Sequence, residues 1–312
     1  MMFRKRDSQS RPSWRVGDLV EVRSREEILA TLDSEGKLDG VPFMPEMAEH
    51  CGGRFRVHRR AEKVFLDHHF YVAGLKGAVL LEGVRCDGAS HGGCQMGCLL
   101  FWKEAWLKPV DAPEATEDAP PETVAPAEPQ RDLPVRRSGR YCCQATELVR
   151  ASTPLPWWDA RQYVRDVASG NLTIGQLGRM LLVLGRNMVR RIRHRDRIGT
   201  VCGRHERSVN GRLGLQPGEI VEVKRKEEIQ ATLDKHGRTR GLGFAPEMAE
   251  CCGQRYRVAG RVERLILEWS GEMKPISDTV VLEGVTCNGL SRRGCPRDCH
   301  QLWREAWLKR AN

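Results

Sequence analysis

The strongest constraint on the fold of this chain is an internal duplication. Residues 17–108 align without a gap with residues 218–309, a shift of 201 positions, and 44 of the 92 aligned residues are identical. GDLVEVRSREEILATLD opens the first unit and GEIVEVKRKEEIQATLD opens the second. The chain must therefore build one small unit twice, and we call the two units copy 1 and copy 2.

The hydrophobic pattern of each copy is typical of short strands. Residues 19–22 of copy 1 read Leu-Val-Glu-Val and alternate as a half-buried strand. Residues 54–57 alternate again, and residues 78–84 form a more apolar run. Ile28, Leu29 and Leu32 have the spacing of a short helix, and Pro45 begins a second helical piece that ends at Cys51. Short strands separated by long loops predict a small barrel.

Two motifs carry a resemblance. The opening G-D-x-V-x-V and the later G-x-x-F-R-V resemble SH3-like barrels of the KOW type. The whole chain resembles an uncharacterised bacterial family with two such barrels. The resemblance implies a mainly β protein with a helical middle and two tandem small SH3-like barrels, and it implies no particular activity.

The composition along the chain suggests five segments. Between the copies, residues 111–130 are rich in acidic residues and proline and contain no Lys or Arg, which is typical of an extended linker. The predicted organisation is a basic tail at 1–16, copy 1 at 17–110, an acidic linker at 111–135, a helical middle segment at 136–210 and copy 2 at 211–312.

The middle segment has two predicted helices. The first runs from about Pro156 to Ala168, and Gly170 supplies its stop. Thr173 and Gln176 have the spacing of a capping box that opens the second helix. The second helix is amphipathic, with an apolar stripe at Ile174, Leu177, Leu181, Leu184, Met188 and Ile192.

Arginines crowd the second helix and the residues after it. They could contact anionic lipid or a phosphate backbone, or they could be solvated while the apolar stripe packs between the barrels. The predicted anion or membrane contacts are Arg179, Arg186, Arg190, Arg191, Arg193, Arg195 and Arg197.

Charge and hydropathy limit the partners and the compartment. The net charge of +10 favours an anionic partner, which could be nucleic acid, a lipid surface or an acidic protein. The N-terminus has no apolar segment of a secretory signal, and the chain has no apolar run long enough to span a membrane. We expect a cytoplasmic protein, with peripheral contact on the inner face of the membrane as an option.

Cysteine is the residue type that carries chemistry here. Three thiols lie in a glycine-rich segment of each copy, which we call the cysteine loop (residues 86–98 and 287–299), and a fourth follows the second helical piece. Four thiolates suit Zn²⁺ or an iron–sulfur cluster, while inert thiols and disulfides are the alternatives. The predicted ligands, each recurring in both copies, are Cys51, Cys86, Cys94 and Cys98, and Cys252, Cys287, Cys295 and Cys299.

Four further residues of the types that bind metals flank the middle helices. Cys142, Cys143, Cys202 and His205 could form a third site, although nothing in either copy repeats them.

The chain shows no phosphate-binding loop, dinucleotide fingerprint, G-x-S-x-G or H-E-x-x-H motif. The sequence therefore predicts a non-enzymatic, metal-binding adaptor with a protein partner, and zinc is the favoured metal. An iron–sulfur redox accessory protein and a nucleic-acid-binding protein are the alternatives. The tryptophans that end each copy could line a partner groove or pack in the core. They are Trp102, Trp106, Trp303 and Trp307.

Overall fold

In a computed structural model of the chain, each copy is organised around a curled, five-stranded antiparallel sheet. The structure describes residues 14–67, 71–110, 133–194, 203 and 211–311, without the side chains of residue 187 and residues 190–194. Strand is the dominant regular structure of both copies, so the prediction of a mainly β protein is confirmed.

The described residues of copy 1 form nine strands and one short α-helix. Its central sheet has the strand order β8-β7-β4-β1-β9. The 3-10 turns at Pro45–His50, Ala89–His91 and Glu104–Trp106 connect these elements. The elements are β1 (Leu19–Val22), α1 (Arg25–Leu29), β2 (Lys37–Leu38), β3 (Val41–Pro42), β4 (Arg54–Arg60), β5 (Lys63–Leu66), β6 (Tyr71–Leu75), β7 (Ala78–Arg85), β8 (Leu99–Lys103) and β9 (Leu107–Pro109).

The described part of the middle segment forms three helices and a strand that joins copy 1. Its elements are β10 (Arg136–Arg137), β11 (Arg140–Tyr141), α2 (Gln144–Ala151), β12 (Ser152–Pro154), α3 (Arg161–Ala168) and α4 (Ile174–His194). Strand β12 pairs with β6 and completes a three-stranded sheet with β5. The middle segment is therefore attached to copy 1 by backbone hydrogen bonds.

Copy 2 repeats the central sheet of copy 1 in the order β20-β19-β16-β13-β21. Val57 faces Leu81 in copy 1 and Val258 faces Leu282 in copy 2, and each register shifts just after that pair. The elements are β13 (Ile220–Val223), α5 (Lys226–Gln230), β14 (Arg238–Thr239), β15 (Leu242–Gly243), β16 (Arg255–Arg261), β17 (Arg264–Ile266), β18 (Met273–Pro275), β19 (Thr279–Thr286), β20 (His300–Arg304) and β21 (Leu308–Arg310).

The tryptophans at the end of each copy lie in the hydrophobic core of that copy. All four are fully buried. In copy 1, Phe43 packs edge-on against Trp106 with ring centroids 5.6 Å apart. The Trp106 indole donates to Thr31 Oγ1 at 3.0 Å, and Trp307 donates to Thr232 in the same way. Because a buried aromatic cannot meet a partner, the interpretation of these residues as a partner groove is wrong.

Of the two helices predicted in the middle segment, the second begins as predicted and the first does not. Thr173 and Gln176 form the predicted capping box, with Thr173 N–H donating to Gln176 Oε1 at 2.9 Å. Helix α3, however, begins at Arg161 and not near Pro156, because residues 152–154 are held as a strand and Asp159 closes a turn onto the Pro156 carbonyl. Among the described residues, no helix combines the length and the apolar character needed to cross a bilayer.

Candidate metal centre

The cysteine loop of copy 1 connects β7 to β8 and is closed at its base by its own backbone. Cys86 N–H donates to the Cys98 carbonyl at 2.8 Å, and Cys287 repeats this bond to Cys299 at 2.8 Å. Gly88 has a positive φ of 75°, and a Cβ there would lie 2.7 Å from Cys94 N and closer still to its carbonyl oxygen. The loop can follow this path only with glycine at position 88.

The three thiols of this loop line one cavity of about 50 Å³. Cys143, from the segment before α2, lines the same cavity. We call this space the thiol cavity. Copy 2 closes one side of it with Glu268 and Arg297.

The two cysteine loops also join the copies. Ile266 N–H of β17 donates to Cys94 Sγ at 3.4 Å, and Phe65 N–H of β5 donates to Cys295 Sγ at 3.2 Å. Phe65 and Ile266 are equivalent positions in the alignment, as are Cys94 and Cys295. Each cysteine loop therefore presents its middle thiol to an edge strand of the other copy.

A buried network lies beside the thiol cavity in copy 1. Glu46 Oε1 lies 3.0 Å from Cys86 Sγ and 3.0 Å from His91 Nδ1, while Ser90 donates to Oε2 at 2.5 Å. Burial opposes ionisation of Glu46, but hydrogen bonds from His91, Cys86 and Ser90 outweigh it and lower its pKa to about 2. The carboxylate is therefore ionised and anchors the loop to the 3-10 turn that starts at Pro45.

Copy 2 keeps the anchor but replaces its histidine. Ser291 donates to Glu247 at 2.9 Å, as Ser90 does to Glu46. The position of His91 is taken by Arg292, whose guanidinium donates to Cys287 Sγ at 3.2 Å and pairs with Asp67 of copy 1 at 3.1 Å. A guanidinium cannot ligate a metal cation, so the two loops differ chemically although they share one shape.

The structure places Cys51 and Cys252 elsewhere. Cys51 packs on the core of copy 1 and its thiol lies 4.0 Å from the Met47 carbonyl. Burial raises the pKa of Cys51 to about 11. Neither residue is among those that line the thiol cavity, because the 3-10 turn before each cysteine directs it toward the core beside α1 or α5. Recurrence in both copies fits a conserved packing position for these two thiols.

Burial keeps Cys86, Cys98, Cys287 and Cys299 protonated in the absence of a cation. Burial raises the pKa of Cys86, Cys98 and Cys287, the last to about 11, and it raises the pKa of Cys299 to about 12. The eleven cysteines among the described residues are all free thiols. Binding of a cation to these loops would release protons, so its affinity would rise with pH.

Cys143 is a site residue that the recurrence argument missed. It precedes α2 and lies outside both copies, so the alignment gave no signal for it. Its pKa is raised to about 11 by burial, although hydrogen bonds from the start of α2 at Thr146 and Ala145 oppose that shift. Its neighbour Cys142 does not line the thiol cavity, and Cys202 and His205 lie outside the described residues.

Two of the predicted anion contacts have described side chains. Arg179 and Arg186 are exposed on α4. The side chains of Arg190, Arg191 and Arg193 are outside the description, as are Arg195 and Arg197 altogether. An anionic partner for this helix stays a prediction.

Comparisons of the chain with protein-family models, with characterised proteins and with solved structures give no match. Any function must therefore be argued from the geometry of the thiol cavity and its surroundings.

Proposed function

We propose that the protein is a non-enzymatic metal-binding protein whose cysteine loops hold a metal centre through thiolates. The observation that carries the proposal is the thiol cavity, where Cys86, Cys94 and Cys98 of one short loop border a common space. Buried thiols that serve only as small apolar side chains have no need to face each other across a cavity. Thiolates facing a common space are what soft and borderline metals bind.

Hydrogen bonds to sulfur support this proposal. Backbone N–H groups point at Cys94 and Cys295 from the facing strands. A neutral thiol is a weak acceptor, whereas a metal-bound thiolate accepts such bonds readily and is tuned by them. The N–H···S contact at Cys94 is therefore compatible with a thiolate there.

The spacing of the sulfurs bears on the kind of metal centre. Three thiolates on one Zn²⁺ at ~2.3 Å would lie about 3.8 Å apart. Among the described residues, no three cysteine sulfurs lie within 4.8 Å of one another. An iron–sulfur cluster holds its thiolates farther apart than a single ion does, because bridging sulfides and several irons lie between them. Zinc and an iron–sulfur cluster are therefore the two proposals for the metal, and the thiols would have to draw together to hold a single zinc ion.

A second candidate centre rests on a different observation. The ligand atoms of Glu46, Cys86 and His91 all lie within 4.8 Å of one another, and such a mixed set suits zinc. Against it, the set loses its histidine in copy 2, whereas the loop thiols recur.

Such a centre would serve a structural purpose in an adaptor protein. A unit of this size buries a limited fraction of its surface, so a cross-linking centre would add stability to an SH3-like barrel. The middle segment offers a surface for a partner, because large apolar side chains there are exposed: Trp158 by 70%, Leu182 by 67% and Ile174 by 78%. A protein partner, an anionic lipid surface and a nucleic acid remain proposals for this surface.

The test is elemental analysis with a visible spectrum on the full chain purified without oxygen. Iron with sulfide and a brown absorbance would support the cluster, and colourless protein with zinc would support the single ion. Cys94→Ser should lower the bound metal, while Cys251→Ser, a part-buried thiol outside the loops, should leave it unchanged.

A further variant separates the two candidate centres. His91→Gln keeps a hydrogen-bond donor but removes the imidazole ligand, so it should preserve a thiolate centre and abolish the mixed one. Wild-type protein without stoichiometric metal would refute the proposed function.

A further inference from the structure

We propose that the chain holds a single metal centre, ligated by Cys86, Cys94, Cys98 and Cys143, and that the cysteine loop of copy 2 holds none. This inference rests on the proposed function, since it assigns the ligands and the stoichiometry of the same centre. The recurrence of the predicted ligands would give one centre in each copy, and this inference replaces that expectation.

Cys143 meets the first requirement of a ligand, which is its position. It lines the thiol cavity together with the three loop thiols of copy 1. Four thiols around one cavity supply the full ligand set of a closed thiolate centre.

Gln144, the residue after Cys143, holds Cys143 against β8, the strand that follows the cysteine loop. Gln144 is buried, and its side-chain amide donates to the Phe101 carbonyl at 2.8 Å and accepts from Phe101 N–H at 2.7 Å. Phe101 lies on β8, three residues after Cys98. The amide of Gln144 thus pairs with β8 as a strand would, which fixes the distance from Cys143 to the loop.

Cys142, the residue before Cys143, is held in place as well. His91 is buried within the cysteine loop, and its Nε2 lies 3.3 Å from the Cys142 carbonyl. Since a carbonyl only accepts, Nε2 is the donor in this contact. Both neighbours of Cys143 are thus tied to the parts of copy 1 that hold the other three thiols. A segment that merely passed by would not need two buried contacts of this kind.

The cysteine loop of copy 2 carries two arginines that copy 1 lacks. Arg297 stands at the position of Met96 in copy 1, and Arg292 stands at the position of His91. Arg292 donates to Cys287 Sγ at 3.2 Å. Arg297 is buried and is held by both oxygens of Glu268. Because the Arg292 guanidinium binds a sulfur that a metal would need and cannot itself ligate a cation, the loop of copy 2 holds no centre.

Arg297 and Glu268 of copy 2 also line the thiol cavity of copy 1, as an ion pair. Copy 2 therefore contributes to the wall of the copy 1 site in place of a centre of its own.

The experiment counts metal per chain in the full-length protein, purified without oxygen, for the wild type and three variants. We expect about one centre in the wild type, unchanged amounts in Cys51→Ser and Cys299→Ser, and at least a fivefold loss in Cys143→Ser. Cys51→Ser is the matched control, because it also removes a part-buried thiol, one that packs on the core of copy 1.

A fourth variant guards against a folding defect. Cys143→His replaces the thiol with another metal ligand, so retention of metal in this variant together with loss in Cys143→Ser assigns position 143 as a ligand. Two centres per wild-type chain, full metal in Cys143→Ser, loss in Cys299→Ser equal to that in Cys143→Ser, or loss in both Cys143 variants would each overturn the inference. Wild-type protein without metal would instead refute the proposed function.

Discussion

Replacement of Gly88 with alanine tests whether the cysteine loop is held in one tight conformation. Gly88 has a φ of 75°, and a side chain in this left-handed region costs about 1–2 kcal/mol. The new Cβ would also lie 2.7 Å from Cys94 N and 2.8 Å from Cys94 C, and forcing extra atoms into a packed site costs about 1–3 kcal/mol. The free energy of unfolding should therefore fall by about 2–5 kcal/mol.

Gly52 supplies the matched control for this prediction. It has a φ of 77°, but a Cβ there would meet no atom within 4 Å. Gly52→Ala should cost only the backbone part, about 1–2 kcal/mol. Denaturant unfolding of both variants beside the wild type gives the comparison. If Gly88→Ala is no more destabilising than Gly52→Ala, the close approach of the loop to Cys94 is not a constraint on the fold.

Two further predictions concern charge. Burial raises the pKa of Glu305, but hydrogen bonds from the backbone N–H groups of residues 213–215 lower it more, so the pKa of Glu305 lies below 4.5. The stabilising effect of this carboxylate is therefore lost as the pH falls below that value. Glu305→Gln should therefore destabilise the protein at pH 7 by about 2 kcal/mol, with a gap to wild type that narrows in acid, and exposed Glu82→Gln should show no such gap. For α4, Arg179→Glu with Arg186→Glu should weaken binding to anionic vesicles at least tenfold, since each basic residue near such a surface contributes about 1 kcal/mol. Arg255→Glu in copy 2 should bind like wild type, and vesicle binding that survives in the α4 variant would remove this helix as the anchor.

Much of the fold follows from local patterns that the duplication shows twice. The alternation at residues 19–22 predicts β1 with its observed bounds, and Pro45 marks the start of a 3-10 turn that ends before Cys51. Such features depend on neighbours in sequence, so they can be read without the tertiary structure. Strand β12 could not be predicted, because residues 152–154 become a strand only by pairing with β6.

The candidate site was only partly predictable for a related reason. Recurrence in both copies singled out the loop thiols, but it equally singled out Cys51, which packs on the core. The same criterion set aside Cys143, which is brought to the thiol cavity by the buried contacts of Gln144 and His91. A repeat shows which residues a unit keeps, and it cannot show what a single-copy segment contributes.

The paired N–H···S contacts between the copies have the form of an isologous interface, in which one surface patch serves both partners. In a homodimer every substitution in such a patch appears on both sides at once. A single chain that carries both copies lifts that restriction, and Met96 and Arg297 occupy equivalent positions in the two cysteine loops. An arginine can then be present on one side of the interface only, paired with Glu268, without a second arginine at the equivalent position.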